Sequence, residues 1–255
     1  MLKEAGENMR EVPETWEYDG SFYGFLCLVD RAFSQKVFPT LILTPETALE
    51  SLFLGDLVQT NEVRAQKIYR RLQQRLTAEN LRFIQTGFYA TLEGKERCLL
   101  DAIEIALGTK DSLENYIGHP SVLAVKKSIK TLLGEVHLFT GFVRFEYVGK
   151  ILFSKIAPKH YSLPFLCPHF AERYFNEQMM IYDETHRLLA LIDHGQVTLI
   201  EDSECPEIKA TDEEQEIQDQ WRAFLAAVTI NERANRRVQM GHLPLRFRGN
   251  MVEFE

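Results

Sequence analysis

Apolar residues recur at two different periods along this chain, and the period changes near residue 142. Before that point they return every three or four residues, the spacing of one helix face. After it they alternate, or run in short blocks bounded by polar turns, the spacing of strands.

The segment WEYDGSFYGFLCLVDRAF predicts a short strand, a tight turn at Asp19-Gly20 and a helix capped by Ser21. Phe22, Phe25, Leu26, Val29 and Phe33 make the apolar face of that helix. LILTPETALESLF predicts another, with Thr44 capping, Pro45 in the first turn and the charge of Glu46 near the N-terminus. Residues 62–76 carry two stripes. Ala65, Ile68, Tyr69, Leu72 and Leu76 are apolar, whereas Arg64, Lys67, Arg71 and Arg75 form a second face that is entirely basic. Further helices are expected near 78–92, 95–107 and 111–117. HPSVLAVKKSIKTLLGEVHLFTG predicts a longer helix with Val122, Val125, Ile129, Leu132, Leu133, Val136 and Phe139 on one face. Gly134 costs it about 1 kcal/mol relative to alanine, and Gly141 is expected to end it.

FVRFEYVGKILFSKI predicts two strands turning at Gly149, the first placing Phe142, Arg144 and Glu146 on one side. Residues 179–183, 187–193 and 196–200 predict three more strands. SLPFLCPHFAERYF predicts a helix with Pro164 in its first turn and Pro168 kinking or restarting it. The last helix holds Ile217, Trp221, Phe224, Leu225 and Val228 at helical spacing, a pattern that continues through Ile230, Ala234 and Val238. No linker, repeat or low-complexity stretch interrupts the chain. The expected architecture is a lead-in over residues 1–15 and one α+β domain over 16–255. That domain has a helical N-terminal half, a central antiparallel sheet of about five strands and a C-terminal helix.

A chain of 255 residues buries roughly three quarters of its unfolded surface and needs no disulfide staple. Cys27, Cys98, Cys167 and Cys205 show no CxxC spacing, so reduced, mostly structural thiols are expected. No apolar run approaches the ~20 residues that cross a bilayer, and the N-terminus is too charged for a secretory signal. A cytoplasmic location is expected.

Charge changes the picture more than composition does. Residues 201–219 hold nine acids and one lysine, a net of −8, which equals the net charge of the chain; the remainder has 28 acids and 28 bases. The acidity is therefore local, and a basic face elsewhere is compatible with it. Residues 231–250, NERANRRVQMGHLPLRFRGN, hold five arginines and one glutamate. Arg233, Arg236 and Arg237 fall on one helical face, with Arg246 and Arg248 following on an extended LPLRFR strand. Such arginines either grip phosphates, for which the planar guanidinium is suited, or pair internally with the 201–219 acids.

Local catalytic and metal motifs are missing: there is no HExxH, no HxH and no GxSxG. Glu135 and His137, two apart on a helix, cannot face one ion. No metal and no cofactor is expected. DGSFYG is either an anion seat at a helix N-terminus or a capped turn. Arg144 beside Phe142 either holds single-stranded nucleic acid near a base or pairs with an acid. His169 and Arg173 are i, i+4 neighbours that either grip a phosphate or contact an acid such as Asp183.

The motifs YDGSFYGFLC, GFVRF, HFAER followed by IYD, and NERANRRVQMGHLPLRFR occur in this order. Together they resemble a bacterial family known by the label "probable DNA metabolism protein", from about residue 16 to the C-terminus. The resemblance implies a role in DNA repair or base modification beside a radical S-adenosylmethionine (radical-SAM) partner. In some relatives the region is fused to a uracil-DNA glycosylase-like domain. It carries over only motif positions: Asp19, Gly20, Arg144, His169, Arg173, Asp183, Arg233, Asn235, Arg237 and Arg246. The sequence ends just after LPLRFRGNMVEFE, and its scattered cysteines lack a cluster arrangement, so glycosylase activity is not expected of it. Pro168 before HFAER departs from the pattern.

Three functions follow as expectations. The first is binding of single-stranded or damaged DNA through Arg64, Lys67, Arg71, Arg233, Arg236, Arg237 and Arg246, with Arg144 and Phe142 near a base. The partners would be a radical-SAM protein and a uracil-DNA glycosylase-like protein, with no membrane. The second is an enzyme acting on a nucleotide or base in a pocket of His169, Arg173 and Asp183. The third is an adaptor docking through the acidic 201–219 segment.

Overall fold

The computed structural model describes residues 14–49, 51–52, 54–206, 212–230, 235–249 and 251. Two compact units divide the chain, residues 1–129 and 130–255. The boundary falls inside a helix, which is why composition shows no linker there.

In the first unit, β1 (Thr15–Glu17) is the centre of a parallel three-stranded sheet, between β2 (Leu41–Leu43) and β3 (Asp56–Leu57). Strands this short give little periodic signal, so β3 in particular is invisible in the sequence. Asp19 and Ser21 then start α1 (Phe22–Gln35). Asp19 accepts from the Ser21 amide and hydroxyl at 2.9 and 2.7 Å, and the Ser21 hydroxyl accepts from the Gly24 amide at 2.9 Å. Gly20 supplies the positive φ of 78° that the turn requires. Thr44 and Thr47 close a capping box on α2 (Pro45–Ala48), which is one turn long instead of the extended helix expected.

Helices α3 (Glu62–Arg75), α4 (Ala78–Tyr89) and α5 (Lys95–Gly108) follow as anticipated, with Asn61 and Thr77 as caps. Only a 3-10 turn forms in 111–117, at Leu113–Asn115. Trp16, Tyr18, Phe25, Leu99, Leu100 and Ile103 lie in the core of this unit, each at most 1% exposed. Val122 and Val125, from the first turns of α6 (Pro120–Phe142), join them.

The second unit is built on a five-stranded sheet of order β4-β5-β6-β7-β8. Its strands are β4 (Glu146–Val148), β5 (Ile151–Ile156), β6 (Gln178–Asp183), β7 (Leu188–Asp193) and β8 (Gln196–Ile200). The sheet is mixed, not wholly antiparallel as expected. β5 and β6 run parallel because α7 (Leu163–Arg173) carries the chain back between them. Pro168 sits inside α7 without ending it. His194 and Gly195, both at positive φ, make the two-residue hairpin between β7 and β8.

Three local expectations are corrected. Phe142 is the last residue of α6 and residues 143–145 are irregular, so Phe142, Arg144 and Glu146 do not alternate along one strand. Leu133 is exposed, and Glu135 takes the buried position between Leu132 and Phe139. LPLRFR is not extended: Leu245–Phe247 is a 3-10 turn that inserts Phe247 against Phe139, ring centroids 4.8 Å apart.

The acidic stretch ends in α8 (Asp212–Val228), and α9 (Arg236–His242) begins after an N-cap at Asn235. The expected continuation through Ala234 falls partly outside the described residues. An apolar stripe on a surface helix normally faces a core. On α8 the buried side chains are instead Glu214 and Gln218, while Ile217, Trp221, Phe224 and Val228 are 39–54% exposed.

Candidate functional site

Two buried carboxylates organise the second unit, and each is met by an arginine singled out from sequence. Glu135 projects from α6 with no solvent exposure. It accepts the amides of Lys159 (3.1 Å) and His160 (2.9 Å) and the hydroxyl of Ser162 (2.8 Å). The guanidinium of Arg246 lies 3.0 Å from its Oε1. Glu214, on α8, is held by Arg144 at 3.1 Å and by the Tyr147 amide at 3.3 Å. Both pairs link elements far apart in the chain, and the second joins Arg144 to the acidic segment itself.

Arg144 and Arg246 line one small cleft with Lys155, walled by Phe139, Phe142 and Phe247. Lys155 pairs with Glu184 at 2.7 Å. The cleft holds about 20 Å³, room for one water-sized group. A single oxygen of an oxyanion fits it; a nucleobase does not. Phe142 is half-buried, its ring 5.7 Å from that of Phe247, so here it is a wall of the cleft. The Nε of Arg144 is buried without a hydrogen-bond partner, and Arg246 keeps 46% of its side chain exposed.

Among the described residues, the contacts of Asp183 run to Thr185 and His186 and not to His169 or Arg173. Asp183 is fully buried at the end of β6 and accepts the amides of Thr185 and His186, with the His186 ring nitrogen 2.7 Å from its other oxygen. His169 and Arg173 are exposed on α7. The chain reverses between α7 and β6, so Asp183 lies at the opposite end of α7, where His186 meets Tyr161 at 5.0 Å. The spacing of eleven helical residues, about 16 Å at 1.5 Å each, separates the two ends.

The remaining candidates sit apart. Arg64, Lys67 and Arg71 are exposed on α3, and Arg64 is paired with Asp30. Arg236 and Arg237 are exposed in the first turn of α9, whose cap is the Asn235 side chain accepting from Val238 at 3.1 Å. Arg233 lies outside the described residues. Among the motif positions, Asp19, Gly20, Arg144, Asp183, Asn235 and Arg246 thus have explicit structural tasks. The sequence presented Glu135 only as a rejected metal ligand and Glu214 only as one acid of the 201–219 segment, not as partners of arginines. Their signal was an acid at a position of helix periodicity otherwise occupied by apolar residues. Among the described residues no three His, Cys, Asp or Glu side chains come together as a metal cage, and no helix is long and apolar enough to cross a membrane.

His160 is 3% exposed, and burial holds its pKa below the ordinary value. Lys159, Arg246 and His186 act in the same direction, and Glu135 opposes them. The unfolded imidazole takes up a proton near pH 6.5 while the folded one still resists it. Stability is therefore complete above about pH 6.5 and falls as pH drops below it. Urea melts between pH 7.5 and 5 should show this slope, and His160→Gln should flatten it. An unchanged slope in the variant would assign the effect to other groups.

The family described as "Domain of unknown function (DUF4130)" matches residues 93–253. No match to the chain was found among curated proteins or among solved structures. The matched span runs from α5 through both buried carboxylates to the turn that carries Arg246, and the chain belongs to this family.

Proposed function

We propose that this chain is a DNA-metabolism protein that binds single-stranded or damaged nucleic acid through its C-terminal unit and works beside a radical-SAM protein. The observation that carries the reading is the convergence of Arg144, Lys155 and Arg246 on one cleft sized for a phosphate oxygen. Each cation is oriented by a carboxylate, and a guanidinium fixed in this way still has donors to offer. Arg236 and Arg237, exposed and without ion pairs among the described residues, add contacts that are purely electrostatic. The order of motifs resembling the DNA-metabolism family supports the same reading.

Binding of a fluorescein-labelled single-stranded oligonucleotide should weaken steeply with salt. Arg236→Ala/Arg237→Ala should reduce affinity without lowering thermal stability. It should also shrink the slope of log K against log salt by roughly 1.4, at about 0.7 per phosphate on single strands. No salt-sensitive binding at micromolar protein would sink the proposal.

One observation favours a second reading, the adaptor. Ile217, Trp221, Phe224 and Val228 are exposed on α8, beside the exposed acids Glu213 and Glu216. A basic, apolar-studded surface of a partner protein complements that face. Glu213→Lys/Glu216→Lys should abolish co-purification with the radical-SAM protein and spare oligonucleotide binding. Undiminished co-purification counts against it.

A further inference from the structure

A second, larger concavity belongs to the first unit, bounded by α1, α3 and α5. Its volume is about 280 Å³, close to the lower limit of small-molecule sites, roughly 300 Å³. Val29, Ile68, Leu72 and Ile103 form a buried apolar floor, and Phe33 adds an aromatic wall. Water gains little against such a surface, so an apolar body displaces it favourably.

The rim has a different chemistry. Asp30 faces the cleft, but the guanidinium of Arg64 holds its carboxylate and compensates its charge. Arg71 and Arg75 also line it, one helical turn apart and both exposed. Neither has an ion pair among the described residues. The uncompensated charge at the mouth is thus positive. Its origin is the double stripe of α3, in which Ile68 and Leu72 turn inward while Arg71 and Arg75, one and three positions from Leu72, stand at the edge.

We infer that this cleft binds a small organic anion: a flat or branched apolar body on the Phe33–Leu72 floor, and one carboxylate, phosphate or sulfonate group between Arg71 and Arg75. The site is independent of the cleft around Arg144 and lies mostly outside the family-matched residues. It needs no nucleic acid. Of the α3 cations, Arg71 takes this ligand in place of a backbone phosphate.

The test uses the full chain and two fluorescent probes of similar size, the anionic 1-anilinonaphthalene-8-sulfonate and the uncharged N-phenyl-1-naphthylamine. The sulfonate should bind the folded protein saturably and one to one. Arg71→Ala/Arg75→Ala should weaken it at least tenfold while changing the neutral probe less than twofold. Ser34→Trp, which fills the exposed rim, should remove both. Thermal melts establish that each variant is folded. Phenyl phosphate and phenylacetate then compete for the sulfonate, and displacement by either supports the site and identifies the preferred head group. Three results would overturn the inference: no saturable sulfonate binding, equal loss of both probes in the double arginine variant, or displacement by neither competitor.

Discussion

Glu135→Ala is expected to lower the free energy of unfolding by about 3–5 kcal/mol, the range for removing one partner of a buried charge pair. The carboxylate is fully buried and serves four donors: two backbone amides, the Ser162 hydroxyl and the Arg246 guanidinium. Without it the loop before α7 loses its acceptor. Each stranded buried donor costs about 1–3 kcal/mol, and the terms do not add because the loop relaxes. Arg246→Ala should cost less, since Arg246 is 46% exposed and the three other donors still satisfy Glu135. Urea denaturation with an unchanged m-value checks both. A loss below about 1 kcal/mol for Glu135→Ala would mean that water or another acceptor replaces the carboxylate.

Arg144→Ala is the second large effect, again about 3–5 kcal/mol. Glu214 is 2% exposed, and the Arg144 guanidinium lies 3.1 Å from it. Taking the guanidinium away removes a cation from a buried carboxylate that also accepts from the Tyr147 amide and the Gln218 side chain. The pair also ties α8 to the segment before β4. Glu214 and Gln218 are the buried residues of α8, while Ile217, Trp221, Phe224 and Val228 stay exposed. Adding Glu214→Gln to Arg144→Ala should recover part of the stability, because the buried charge that Arg144 compensates goes with it. If the double variant is no more stable than Arg144→Ala, the ion pair is not what anchors α8. The same cycle separates two roles of Arg144. Oligonucleotide binding that returns with stability marks it as structural, and binding that stays lost marks it as a phosphate contact.

Much of the fold was legible. The Asp19-Gly20 turn and the Ser21 cap appear as read, and so do the apolar stripe of α3 and the β5, β6, β7 and β8 strands. Each rests on residues within a few positions of one another, and caps, turns and periodicity are short-range physics. The candidate site was legible as residue types only. Arg144 and Arg246 stood out as cations in an acidic chain, but no local pattern named Glu214 and Glu135 as what they meet. Arg173 and Asp183 are ten residues apart in sequence, yet the reversal after α7 carries Asp183 toward the end of that helix opposite Arg173.

By itself, then, the sequence determined the longer helices and the β5 to β8 strands, because hydrophobic spacing and capping chemistry act over single turns. Only the tertiary structure decided three other matters: the parallel pairing of β5 with β6, the outward face of α8, and the acid held by each arginine. These depend on groups far apart in the chain, 70 residues for Arg144 and Glu214 and farther for Glu135 and Arg246. A buried charge takes whichever partner the fold brings within reach, and that choice leaves no period in the chain.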